Sequence, residues 1–364
     1  MTVFDTKTWD TIVIVPPKPD ASLSQHEDFS YLHLYNFDDL NANYCNSGET
    51  RGSVGTAKTC SVSSIGSSGS SSSSEDLAYL LDKADDAVTE NGTASYLITR
   101  DPRNGAFTFS VNAEYDLLLH IQRSLDDAFR SSGSAASVSD IESSKIIMKS
   151  IDEYCLKKQW MYHVGMEKSH FISKFLERSI DAFVERNDRR DGIANKKFVC
   201  VELGTYCGYS ALVLASTLRQ AVLKYGKDAF DFHIYTTEVS SKLLNVAMSI
   251  FRLAKMKNYV STILVQECDP LSTTLKKHLP DDSDGIDFLL LDHAKPMYLP
   301  DLMDLESARL LRKHSFVAAD NVIFNRLDGY RNHMKRWEAE GFVETNLEEM
   351  NLEYSNNLKD GIGD

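Results

Sequence analysis

From Lys145 onward, apolar residues recur at helical spacing: Ile147, Ile151, Tyr154 and Cys155, then Phe171, Phe175, Ile180 and Val184. Side chains three or four residues apart share one helix face, so each set predicts an amphipathic helix with a buried stripe. Further on the pattern changes. The runs FVCVEL, FHIYTTE, STILVQ, IDFLLLD and SFVAAD are apolar at successive positions, and helical stretches separate them. A strand that is apolar on both faces must be covered on both faces, which is how parallel strands inside an α/β domain read. The alternation predicts a doubly wound, mostly parallel α/β sheet occupying residues 141–364.

Residues 1–140 have a different texture and predict a largely irregular N-terminal extension. The stretch SVSSIGSSGSSSSS at 61–74 is too polar and flexible to pack and reads as a disordered linker. A second run of small residues spans Ser131 to Ser139. Between the two, SYLITRD and AFTFSVN flank an Asn104-Gly105 turn and predict a β-hairpin, and Glu114 to Phe129 predicts a helix. No catalytic constellation occurs before about residue 145, so the extension is expected to be dispensable for chemistry.

Composition excludes several classes. A net charge of -14 repels nucleic acid, and there is no basic stripe to offset it. The six cysteines form no CxxC pair and no zinc-like spacing, which suits a reducing compartment. The N-terminus lacks a basic region followed by an apolar one, and no apolar run reaches the ~20 residues of a membrane span. A cytoplasmic, monomeric protein that acts on a small molecule is expected.

In an open α/β sheet, ligands bind beyond the carboxyl ends of the strands. The first run ends in Glu202-Leu203-Gly204-Thr205-Tyr206-Cys207-Gly208-Tyr209-Ser210, and a helix follows. Gly204 and Gly208 permit a tight turn, Ser210 is placed to cap the helix, and its free N–H groups suit an anionic group. Glycines at such a turn serve packing about as often as a ligand. The second run ends in Glu238, which suits a ribose diol but equally suits a solvated helix start. Together they favour an adenosine-bearing cofactor, without separating a dinucleotide from S-adenosylmethionine.

Two more strand ends narrow the chemistry. IDFLLLD stops at Asp292, followed by His293 and Lys295, and SFVAAD stops at Asp320, followed by Asn321. Either aspartate alone reads as a cap. A pair at adjacent strand ends, with an amide beside it, forms an all-oxygen donor set that suits Mg²⁺. Lys295, three residues past a candidate ligand, would be pushed toward its neutral form by a divalent cation and becomes a candidate general base. Taken singly, Lys295 is a solvated charge and His293 a structural histidine.

Read together, SIDEYCLKKQWMYHVG (150–165), VELGTYCGYSA (201–211), LDHAKPMYLPD (291–301), LLRKHSFVAADNVI (310–323) and NLEYSNNLKDG (351–361) resemble the catechol O-methyltransferase family. The resemblance runs from about Lys149 to the C-terminus. It implies a Rossmann-like methyltransferase sheet, S-adenosylmethionine as methyl donor and Mg²⁺ held by Asp292, Asp320 and Asn321. It makes Lys295 the base for the hydroxyl that is methylated, and Glu353 the partner of the other hydroxyl. Trp160 gates the flat substrate. Cofactor contacts are implied for Val164, Glu202, Gly204, Tyr206, Ser210, Glu238, Cys268, Asp269, Asp292 and His293.

Departures from the family are also visible. Ala294 stands where a tryptophan flanks adenine, and Cys268 and Asp269 stand for serine and glutamine. Asn325 and Tyr162 replace a gating proline and methionine. Beyond Asp360-Gly361 only three residues remain where the family continues with a final strand, so whether the sheet keeps that strand stays open. Two competing classes are weaker. A catalytically silent cofactor-binding module would be favoured by a missing Asp292, Asp320 or Asn321, and a nicotinamide-dependent dehydrogenase by a GxGxxG turn. The three ligands are present and the turn is not. Methyltransferases of other phenols, such as caffeoyl-type substrates, are the nearest alternative.

Overall fold

A computed structural model describes residues 11–13, 96–100, 107–111, 113–131, 139–188, 196–226, 229–266, 269–280, 283–355 and 358–363. The expected linker at 61–74, most of the Ser131 to Ser139 stretch, the Asn104-Gly105 turn and Cys268 lie outside these residues.

The main sheet is built on five parallel strands: β4 (Lys197–Leu203), β5 (Asp231–Glu238), β6 (Val260–Leu264), β7 (Phe288–Leu291) and β8 (Ser315–Ala319). They answer the five apolar runs of the sequence. Alternate side chains explain those runs: Phe198 and Cys200 enter the core on one face of β4, while Val199, Val201 and Leu203 enter the core on the other. With β10 (Leu347–Asn351) and β11 (Lys359–Gly363) the spatial order is β10-β11-β8-β7-β4-β5-β6. The order reverses between β4 and β7, and the crevice above that switch point is where a doubly wound sheet takes a ligand.

The sheet does not lack a final strand. Lys359–Gly363 runs antiparallel between β10 and β8, with Gly363 opposite Ala319. Neither run looks like a strand: LEEMN is largely polar and KDGIG holds two glycines. Tertiary packing decides here, since a Cβ on Gly361 would lie 2.5 Å from Ile323 Cδ1. Further strands are β1 (Thr11–Val13), parallel to β8 and to β9 (Val343–Glu344), and a separate antiparallel pair, β2 (Tyr96–Arg100) with β3 (Phe107–Val111).

Helices α1 (Ala113–Ser131), α2 (Asp140–Lys157), α3 (Gly165–Asp188), α4 (Tyr209–Tyr225) and α5 (Ser241–Leu253) cover one face. Helices α6 (Leu271–Lys276), α7 (Tyr298–Ser307) and α8 (Asp328–Ala339) cover the other. Helix α2 starts where Ser139 accepts a hydrogen bond from Glu142 N at 3.1 Å, with Asp140 and Glu142 in the first turn to meet the helix dipole. Its apolar stripe, Ile147, Ile151, Tyr154 and Cys155, is buried as its spacing implies.

The boundary expected at residue 141 falls too late. Helix α1 precedes it, yet Leu117, Ile121 and Leu125 are buried in the same core as α2 to α5, and Glu114 is paired with Lys242 Nζ at 3.1 Å. The packed unit therefore includes residues from Ala113, and cutting at 140 would strip a face of the core. Truncating the fully buried Ile121 to alanine should cost about 2–5 kcal/mol. Urea unfolding of Ile121→Ala tests this, and a change under about 0.5 kcal/mol, the range of a surface substitution, would place α1 outside the cooperative unit.

Candidate active site at the strand ends

The parallel ladder runs one residue past each strand and so sets the site. Asp292 N donates to Leu203 O at 2.9 Å, and Asp320 N donates to Leu291 O at 3.0 Å. The two aspartates are thus consecutive rungs on neighbouring strand ends, with Asn321 next, in the left-handed region at φ 56°. Asparagine tolerates that region better than most residues. Tyr298 is wholly buried beneath them, and its hydroxyl sits 2.7 Å from Leu291 O and 3.1 Å from Asp320 O. Lys295 Nζ donates to Asp292 Oδ1 and to the Tyr298 hydroxyl, both at 2.9 Å.

A residue absent from the sequence reading lies at the centre of this site. Lys168, in the first turn of α3, is 1% exposed. Its ammonium pairs with Asp320 Oδ1 at 2.7 Å, with Asp360 Oδ2 at 2.6 Å and with Glu353 Oε1. Asn321 Nδ2 donates to the same Glu353 and Asp360 oxygens at 3.0 and 2.7 Å. Phe324 N holds the other Asp360 oxygen at 2.9 Å. Burial alone would lower the Lys168 pKa, but Asp320, Asp360 and Glu353 outweigh it and hold the group well above the usual lysine range. Burial pushes Asp320 up, opposed by Lys168 and reinforced by Asp292, Glu353 and Asp360. Asp360 is buried too, yet Lys168 and its hydrogen bonds hold it below the usual aspartate range.

This charge pattern tests whether a divalent cation fits. Among the described residues, Asp292, Asp320, Glu353 and Asp360 pair with two cations, Lys168 and Lys295, so with all four ionised the cluster carries two negative charges in excess. Asn321 Nδ2 donates to Glu353 and Asp360, which turns its side-chain oxygen away from them. Asp292, Asp320 and Asn321 then offer oxygen donors and matching charge, and a divalent cation such as Mg²⁺ fits.

The cofactor side is one strand over. Gly204, at φ 99°, is required by packing: a Cβ there would lie 2.2 Å from Asp292 O. Gly208, at φ 86°, is itself the N-cap of α4, and no side chain caps the helix. The expected capping role of Ser210 is therefore not what the structure has, because Ser210 lies inside the first turn and is buried. An uncapped first turn presents its N–H groups to an anion such as a carboxylate. Glu238 accepts from Tyr206 N at 3.0 Å, Val239 N at 3.0 Å and Ser240 N at 3.1 Å, which fixes its carboxylate beside the turn. Glu202 is fully buried and bonded to the Thr236 hydroxyl, and burial pushes its pKa up to about 8.

The remaining candidates surround this centre. Trp160 Nε1 donates to Glu353 O at 3.1 Å, tying the expected gate to the expected substrate carboxylate. Tyr162 packs edge-on to Trp160 and is 41% exposed, and Val164 is buried. His293 stacks on Tyr298 and pairs with Asp301 at 2.8 Å. Asp269 and Ala294 are exposed, and Asn325 Nδ2 reaches Asn321 O at 3.3 Å. His163, also missed, is buried against Tyr206 and Tyr209, and desolvation takes its pKa down to about 3.

Fold and strand-end geometry define a class. Residues 201–322 match the profile described as a methyltransferase domain, and the unit is similar to O-methyltransferases. Among individual proteins, it is similar to catechol O-methyltransferase of Bos taurus, 29% identical over 178 residues, covering 49% of this chain and 55% of that protein. The Sus scrofa catechol O-methyltransferase is 27% identical over 208 residues, covering 56% of this chain and 92% of that protein. The human protein named transmembrane O-methyltransferase is 26% identical over 178 residues, covering 49% and 52%. The chain spans about half the length of the first two curated relatives it matches, 55% and 56%. A Bacillus cereus O-methyltransferase solved with SAH aligns with a TM-score of 0.40 at 18% identity, covering 67% of this chain and 97% of that one. Among the described residues, no helix is long and apolar enough to cross a membrane.

Glu202 gives the site a measurable pH signature. A folded-state pKa of about 8, above the ordinary glutamate value, means that the folded protein holds a proton the unfolded chain has released. That contribution to stability is present at low pH and is lost as pH rises to about 8. Glu202→Gln should flatten this decline in urea titrations across the interval. Parallel curves for the two proteins would remove Glu202 as its source.

Proposed function

We propose that this chain transfers a methyl group from S-adenosylmethionine to one hydroxyl of a catechol, with Mg²⁺ assistance. The observation that carries the reading is the convergence of Asp292, Asp320 and Asn321 with Glu353 and Lys295 at the strand ends, one strand from the glycine turn and two from Glu238. Its relatives named catechol O-methyltransferase support the substrate class.

In this reading Glu238 holds the ribose, with Gly204 and Tyr206 in the turn beside it. The uncapped first turn of α4, including Ser210, takes the methionine carboxylate near Val164, and Glu202 supports the turn. Cys268, Asp269 and His293 complete the cofactor side. Asp292, Asp320 and Asn321 would hold the metal, which when bound would make a substrate hydroxyl more acidic. Lys295 Nζ, once it has released its own proton to solvent, accepts that of the hydroxyl that is methylated. Glu353 accepts a hydrogen bond from the second hydroxyl, and Trp160 walls the flat ring while exclusion of water favours a transfer that neutralises charge. Most of the acceleration asked of these residues is alignment.

Labelled S-adenosylmethionine incubated with catechols and monophenols should label the catechols only, and only with Mg²⁺ present. Undiminished transfer in a chelator would sink the metal role. Separately, Lys295→Ala should lower kcat by ~10²–10⁴-fold, the usual effect of losing a general base, with little change in cofactor affinity by calorimetry. Near-normal kcat would mean that Lys295 serves only to pair with Asp292.

A further inference from the structure

The Lys168 ammonium pairs with three different carboxylates, and the oxygens of Asp320, Glu353 and Asp360 lie within 4.8 Å of one another. That spacing is close enough for a single cation to be shared among them, and the cation present is the ammonium. All four residues are at least nine-tenths buried, so water does little of this work. Nor does the helix: a cation in the first turn of α3 meets the positive end of its dipole, so the carboxylates must outweigh that as well.

Asn321 divides the pocket in two. Its amide nitrogen faces Glu353 and Asp360 on the Lys168 side, and its carbonyl oxygen is left for the side of Asp292 and Asp320. Asp320 belongs to both halves, with Oδ1 on Lys168. Where a site takes two divalent ions, they lie about 3.5–4 Å apart. Here one of the two positions is filled by a side chain.

We propose that Lys168 is a built-in second cation: its ammonium occupies a subsite formed by Asp320, Glu353 and Asp360, and thereby keeps the pocket to one divalent ion. The inference rests on the metal reading given above and adds a positioning role to it. A tethered cation cannot dissociate, so Asp360 stays off the metal and Glu353 keeps an oxygen for substrate. A second divalent ion would draw both carboxylates into its own shell.

Mn²⁺ binding, followed by electron paramagnetic resonance on the full chain without substrate or cofactor, tests this. Wild type and Lys168→Arg should each bind one ion. Lys168→Met, close in volume but neutral, should bind two, the additional ion lost again in Lys168→Met/Asp360→Asn. One ion in Lys168→Met, at the wild-type affinity, overturns the proposal. If Lys168→Met is recovered only as aggregate, refolding decides: soluble protein with Mn²⁺ but not with equal ionic strength of NaCl supports the proposal, and no difference overturns it. Failure of the underlying metal reading gives a different result, no Mn²⁺ in wild type.

Discussion

A lysine ammonium removed from water and surrounded by carboxylates is costly to assemble and costlier to disturb. Desolvating each ion takes several kcal/mol, and only close geometry with satisfied hydrogen bonds returns it. In this chain the geometry is close, and the groups come from four places: α3 supplies Lys168, the end of β8 supplies Asp320, the segment after β10 supplies Glu353, and β11 supplies Asp360. The position of each depends on the others. The antiparallel strand β11, whose sequence has little strand character, is held in the sheet partly because Asp360 must reach Lys168 and Phe324 N.

The opposite end of the same sheet carries the reverse arrangement. Asp287, before β7, accepts from Val199 N at 2.9 Å, Arg186 at 2.9 Å and Arg312 at 2.8 Å. There one carboxylate faces two guanidinium groups and a backbone donor, so its negative charge is answered in full by the protein. At the carboxyl ends of the strands the protein leaves its negative charge only partly answered. A fold has no stability reason to do this, because a surplus of buried charge is a standing penalty. In the proposed function that surplus is the place of the divalent cation, in the crevice where the sheet topology opens.

The central five strands were legible because both-face burial leaves an unmistakable run of apolar residues, and their polar end residues followed directly. The parallel ladder then makes Asp292 and Asp320 neighbours, as their place at the ends of successive runs implied. The two last strands were not legible, since LEEMN and KDGIG take their conformation from neighbours rather than from propensity. Lys168 was missed for a related reason. In the string MEKSH a lysine near a helix start reads as solvated, and only its three partners, up to 192 positions away, make it a core residue. A Gly at 165, three residues ahead of it, was the one local sign that the chain enters α3 in an unusual way. Ser210 was misread as a cap because a hydroxyl at a helix start usually is one, whereas Gly208 takes that position here.

The separation of Lys168 from Asp360 bears on how the chain folds. Closing a loop of 192 positions is entropically slow, and contacts of this kind form after local ones. Helix α3 and the strands from β4 to β8 precede β11 in the chain, so until β11 pairs with β8 the Lys168 ammonium lacks its Asp360 partner. Insertion of β11 and creation of the charged pocket are then one event, and a partly folded chain has the sheet without the site.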